Sequence, residues 1–219
     1  MTEKQPWVTS GRVLVLFLLA TCSLAGCRVE KTTTPSAASR PQSDVTPAPA
    51  GVEPGGPFTL TDQTGTPFDS TSLRGRVWVA SVFFANCPGP CFRENQAIAD
   101  VLRGIDDPDL VAVSLTCDPD NDTPEVLRRY ADRFGADPAR WKFLTGDMDT
   151  IRSVANKTLQ LPAEVGVHSE RGVVFDRQGR NRGSYHLLQP DRVELLVKMI
   201  RQVLAEPADE GAGVETPRP

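Results

Sequence analysis

The sequence predicts an α/β fold with parallel strands at its centre, and three observations carry the prediction. Residues 77–84 and 110–115 are two continuously apolar runs, rich in β-branched and aromatic side chains, the pattern of strands buried on both faces. Between them, Phe92, Ile98, Val101 and Leu102 fall at positions that suit one face of a helix. A helix crossing from one strand to the next makes the pair parallel and puts their C-terminal ends on one edge, where α/β sites form.

The elements follow in chain order. Residues 58–61 and 66–69 flank Asp62-Gln63-Thr64-Gly65 and read as an N-terminal β-hairpin. Leu73-Arg74-Gly75 leads into the first central strand. The helix after Cys91 ends near Gly104, and residues 106–109 make a turn. After the second strand comes an acidic loop, 116–122. Thr123 then caps a helix that opens at Pro124; Val126, Leu127, Tyr130 and Phe134 form its apolar stripe, and Gly135 stops it. Residues 141–145 read as a strand and 147–156 as a helix with acids in its first turn. Strands at 172–176 and 182–186 are joined by a turn, and a last helix starts at Pro190-Asp191 with Val193, Leu196, Val197, Ile200, Val203 and Leu204 apolar. The sum is a central mixed sheet flanked by helices.

Residues 1–27 are expected to be a targeting segment, not fold. Lys4 and Arg12 form a basic start, and residues 13–20 form an apolar stretch shorter than a membrane span. Leu24-Ala25-Gly26-Cys27 resembles the bacterial lipobox, whose cysteine becomes the lipidated first residue. The alternative is an uncleaved anchor helix ending near Leu24. Either way the domain is exported and tethered to the outer, periplasmic face of a bacterial cytoplasmic membrane. Residues 28–56 are rich in Thr, Ser, Ala and Pro and read as a disordered tether; 207–219 read as a disordered tail. A single domain over 57–206 lies between them. Removing Lys4, Arg12 and Glu3 with the leader takes the net charge from −4 to about −5, which argues against nucleic acid as a partner.

The chemistry centres on Cys87-Pro88-Gly89-Pro90-Cys91, at the strand-to-helix junction. Backbone N–H groups at a helix start favour thiolate. A thiolate attacks a disulfide or holds a soft metal, and cysteines about one helical turn apart can face the same way. Cys22 leaves with the leader and Cys27 carries lipid, so Cys87, Cys91 and Cys117 remain. Export places them where disulfides persist. The parallel pair predicts Cys117 and Asp118 on the same edge as Cys87 and Cys91. Cys117 is a candidate for thiol exchange or metal, or else a small buried hydrophobe. Asp118 and Asp122 are accessory candidates; their plainer reading is turn and N-cap duty.

With the cysteine pair so placed, the layout resembles a thioredoxin fold, and its details resemble the Sco/SenC family of copper-binding, membrane-tethered proteins. The resemblance runs from about Phe58 to Leu204. It rests on Phe58-Thr59-Leu60-Thr61-Asp62, Leu73-Arg74-Gly75, Val82-Phe83-Phe84 before the CxxxC, Asp118-Pro119, Asp122-Thr123-Pro124-Glu125, and Val167-His168-Ser169 ahead of Val174-Phe175-Asp176 and Gly179. The sequence departs from the family at Phe92, where Pro is frequent, at Val167, where Asp is common, and at Cys117. The resemblance implies His168 as a third copper ligand beside Cys87 and Cys91; His186 is the competitor, and its place on a strand beside Tyr185 reads more plainly as a packed or surface histidine. Two thiolates and an imidazole suit Cu(I) or Cu(II). It also implies a copper chaperone that helps load the copper-site subunit of a respiratory cytochrome oxidase, or another copper protein. The alternative is a thiol–disulfide oxidoreductase with Cys87 attacking and Cys91 resolving; a scaffold with a structural disulfide is the third reading.

Overall fold

The computed structural model describes residues 56–207. The leader, Cys27, the tether and the tail lie outside the described residues, save for the boundary positions 56 and 207. The elements run β1 (Thr59–Asp62), β2 (Pro67–Asp69), β3 (Val77–Phe83), α1 (Cys91–Gly104), β4 (Leu110–Thr116), α2 (Pro124–Asp132), β5 (Trp141–Thr145), α3 (Met148–Ser153), β6 (Ala163–Glu164), β7 (Val167–His168), β8 (Arg171–Phe175), β9 (Asn181–His186) and α4 (Pro190–Ala205). One mixed sheet has the order β2-β1-β5-β4-β3-β8-β9. The central pair β3 and β4 is parallel, as is β4 with β5, while β8 and β9 are antiparallel additions and β1–β2 is the expected hairpin.

The central strands are apolar throughout because both sheet faces are covered. Val77, Val79 and Phe83 pack among Ile98, Leu127, Tyr130 and Ile200, beneath α1, α2 and α4. The intervening Trp78, Ala80 and Val82 pack on the other face with Leu60, Phe68, Ile151 and Leu159. Phe83 meets the rings of Tyr130 at 5.2 Å and Phe143 at 5.5 Å between centroids.

A polar thread crosses this apolar interior. Asn95, buried on α1, donates through Nδ2 to the Cys91 carbonyl at 3.0 Å and accepts at Oδ1 from Ser114 on β4 at 3.1 Å. The Trp141 indole N–H in turn donates to Ser114 at 3.0 Å. Each member has a partner, so the thread fixes the start of α1 against β4 without a desolvation penalty left over.

Four features differ from the sequence reading. Phe92 does not face the core with Ile98. It lies 38% exposed, against Phe134 at 5.0 Å and beneath the Arg133 guanidinium at 4.6 Å, while Glu94 and Asn95 take inward positions. Ser70–Leu73 forms a 3₁₀ turn capped by Asp69. The helix of 147–156 divides into α3 and a π-helical turn, Val154–Leu159, which ends at Gln160 with φ +56°. The short β6–β7 hairpin turns through Val165 and Gly166, where a φ of +75° suits glycine.

Replacing Phe83 by Ala is expected to cost about 3–5 kcal/mol of unfolding free energy. The same change at Val165, which is 60% exposed, is expected to stay within about 0.5 kcal/mol. Urea titration of the two variants checks both values.

Candidate metal centre

The centre is built where β3 and β4 end together. Phe83 pairs with Thr116 in the parallel register, and the Cys117 N–H donates to the Phe83 carbonyl at 2.8 Å. The next loop is tied down by Asp122. Its Oδ2 accepts from the Ala85 N–H at 3.0 Å and from the Thr116 hydroxyl at 2.5 Å. Asp122 is fully buried, and Thr123 supplies the cap of α2. So Asp122 has no N-cap duty and no surface to offer a partner; it joins the β4 loop to the segment entering the cysteine motif. Burial raises its pKa despite these two bonds.

The loop then presents Cys87, half-buried, and α1 starts at Cys91, fully buried; both are free thiols. The third group arrives from the other side of the sequence. His168 ends β7, and its Nε2 lies 2.9 Å from Cys91 Sγ. The Phe84 ring meets the imidazole edge-on at 5.7 Å. One donor atom from each of Cys87, Cys91 and His168 falls within 4.8 Å of the others, and among the described residues this is the group so clustered. Two soft sulfurs and an imidazole at that spacing can converge on one ion, and imidazole suits harder states of the same metal that thiolate takes in its soft state.

The electrostatics favour uncharged groups at Cys91, Glu94 and His168. Burial, and then the neighbouring Cys87 thiol, push the Cys91 thiol well up. This corrects the expectation that the helix start lowers it: desolvation outweighs the N–H groups. Burial also lowers the pKa of His168, keeping a neutral imidazole with a lone pair. Glu94, on α1 and 1% exposed, is pushed up to about 8 by burial and then by the charge of Glu170. Its Oε2 lies 3.6 Å from His168 Nδ1.

The other candidates lie apart. Cys117 is on the same edge, as the topology requires, but its side chain packs in the opposite core cluster from Cys91. It is fully buried, and its pKa is pushed up to about 11, chiefly by that burial, against a hydrogen bond from Gly166. Asp118 holds the Asn121 amide at 2.9 and 3.0 Å, a turn contact. His186 has both nitrogens engaged: Nδ1 accepts from the Leu188 N–H at 3.2 Å, and Nε2 faces Glu170 at 3.0 Å. Glu94 and Asn95 are the site neighbours that sequence reading missed. Their spacing of three and four residues from Cys91 put them on its helix face, and that was the available signal.

The SCO1/SenC family model matches residues 47–204. The mitochondrial protein SCO2 of Saccharomyces cerevisiae is 35% identical over 119 residues, which cover 53% of this chain and 38% of that protein's length. Among solved structures, a SCO1/SenC family lipoprotein from Bacillus anthracis is 26% identical with a TM-score of 0.64, over 73% of this chain and 98% of that one. ScoI of Bradyrhizobium japonicum with copper bound is 27% identical with a TM-score of 0.57, over 68% of this chain and 99% of that one.

Alkylation of the reduced native protein is expected to label Cys87 first and Cys117 only on unfolding; labelling of native Cys117 at the rate of Cys87 would contradict its burial. A pH series tests Glu94. Burial holds its folded pKa up at about 8, above the ordinary carboxyl value of 4.5. So the folded state binds the extra proton, and the stability linked to it is full below pH 4.5 and lost as pH rises through about 8. Urea melts of the metal-free protein are expected to show that loss, and Glu94→Gln is expected to lack it.

Proposed function

The chain belongs to the SCO1/SenC family, and from that premise we propose that it is a membrane-tethered copper chaperone that carries one copper ion on Cys87, Cys91 and His168. The observation that carries this reading is the convergence of those three donors, together with the copper bound in the related ScoI. Cys87 and Cys91 hold Cu(I) as thiolates, and the His168 imidazole allows Cu(II) to be held as well. Thiolate is the form that ligates, so metal binding displaces the proton that burial keeps on Cys91. Of the two sulfurs, that of the half-buried Cys87 is nearer to solvent and leads transfer to a partner.

The recipient is the copper-site subunit of a respiratory cytochrome oxidase, as the sequence resemblance implies. The lipobox at Leu24–Cys27 supports anchoring through lipid on Cys27, with residues 28–56 as the reach between membrane and domain. Among the described residues no helix is long and apolar enough to cross a membrane.

A second reading is favoured by the unequal exposure of the cysteines, Cys87 half-buried and Cys91 buried. The Cys87 thiolate attacks a partner disulfide and forms a mixed disulfide, releasing one partner thiolate. Cys91 then attacks Cys87 Sγ and releases the second. The pair is oxidised and the partner reduced by two electrons. This chemistry needs both cysteines and does not need His168.

Anaerobic copper titration of the reduced full chain separates the readings. One equivalent is expected to bind tightly. His168→Ala is expected to weaken it by at least the roughly tenfold that even an outer-shell partner costs, and His186→Ala to leave it unchanged. Equal losses in both variants would remove His168 as the ligand. No specific binding would leave the oxidoreductase.

A further inference from the structure

Glu94 is a polar residue in a place an apolar one would fill. It lies on α1, one helical turn beyond Cys91, among Cys91, Asn95 and Ile98 on the buried face. It is 1% exposed, and neither carboxyl oxygen makes a hydrogen bond. A buried carboxyl with both oxygens unpartnered is costly and calls for a reason. Its Oε2 is 3.6 Å from His168 Nδ1. The same nitrogen is 3.4 Å from the Ser169 carbonyl, a long contact at the limit of a hydrogen bond. The opposite nitrogen of the ring, Nε2, faces Cys91 Sγ at 2.9 Å. The imidazole thus stands between two acceptors on its Nδ1 side and the thiols on its Nε2 side.

A neutral imidazole carries one proton, and it binds a metal through the nitrogen that lacks it. With the proton on Nε2, the ring would turn an N–H toward the thiols. With it on Nδ1, the lone pair faces them. An acceptor at Nδ1 therefore decides whether the ring is ready to ligate.

We propose that Glu94 is a positioning residue: a small rotation of its unpartnered carboxyl brings Oε2, now 3.6 Å from His168 Nδ1, within reach to accept a hydrogen bond from Nδ1–H, which keeps the Nε2 lone pair toward Cys87 and Cys91. This deepens the copper reading and rests on His168 being the third ligand. An accepting oxygen is present whether the carboxyl is ionised or protonated, so the role does not depend on its titration. It also does not depend on charge, and a glutamine amide oxygen serves in the same place.

The test uses the full chain, reduced and metal-free, with ¹⁵N-labelled histidine. Wild type, Glu94→Gln and Glu94→Leu are compared by the ¹⁵N shifts of the His168 ring, then by anaerobic copper titration. The expected result is the Nδ1–H tautomer in wild type and in Glu94→Gln, with a shift toward Nε2–H in Glu94→Leu. Copper affinity is expected within about threefold of wild type for Glu94→Gln and lower by roughly ten- to a hundredfold for Glu94→Leu. A wild-type ring with its proton on Nε2 overturns the proposal, and this spectrum needs no variant to fold. An unchanged tautomer in Glu94→Leu overturns it too, since the Ser169 carbonyl would then suffice. Equal affinity losses in Glu94→Gln and Glu94→Leu overturn the acceptor role. The expected tautomers in a protein that binds no copper would support the contact and defeat the copper reading instead.

Discussion

Cys91 Sγ and His168 Nε2 are 77 residues apart in sequence and 2.9 Å apart in space, and the rest of the site is arranged to keep them so. Each side chain sits on an anchored element. Cys91 is the first residue of α1, and α1 is held against β4 by the Asn95–Ser114 hydrogen bond and by the apolar packing of Ile98 and Leu102. His168 hangs on a hairpin of two-residue strands whose Ala163 is buried in the opposite core. The Arg152–Glu164 ion pair, 3.0 Å across, adds a surface tie to α3. Exposed pairs of that kind contribute little, so the hairpin depends mainly on its buried anchors.

Parallel pairing of β3 and β4 is the constraint beneath this contact. It delivers both strand ends to one edge and lets one buried carboxylate, Asp122, bind the Ala85 N–H and the Thr116 hydroxyl together. The cysteine loop is thereby fixed at its entry by a side chain and at its exit by the helix it begins. A site built this way has its three donor atoms already gathered within 4.8 Å of one another. The cost is concentrated in burial, which raises the Cys91 thiol and lowers the imidazole. Such a site favours neutral groups until a positive ion enters.

The sequence made the frame legible because its signals were long or chemically marked. The seven-residue strands β3 and β4 showed as unbroken apolar runs, Thr123-Pro124 marked a helix start, and Cys87 and Cys91 announced a reactive junction. What it hid was short or polar. A hairpin with two residues per strand has no period to detect, so β6 and β7 were invisible and His168 rested on motif resemblance alone. Periodicity counts apolar residues, so it assigned Phe92 inward and passed over Glu94 and Asn95. The buried face of α1 near Cys91 is polar because its partners there are a backbone carbonyl, Ser114 and an imidazole. Asp122 read as a turn residue because nothing local reveals that its acceptor reaches back 37 residues to Ala85.

The arrangement proposed for the ion is two sulfurs and one imidazole nitrogen. X-ray absorption at the copper edge of the copper-loaded full chain measures that directly. The account requires two sulfur scatterers and one nitrogen scatterer with the outer-ring signature of imidazole, and loss of that signature in His168→Ala. A site with three sulfurs, which would bring Cys117 out of the opposite core, or one without imidazole, would contradict it.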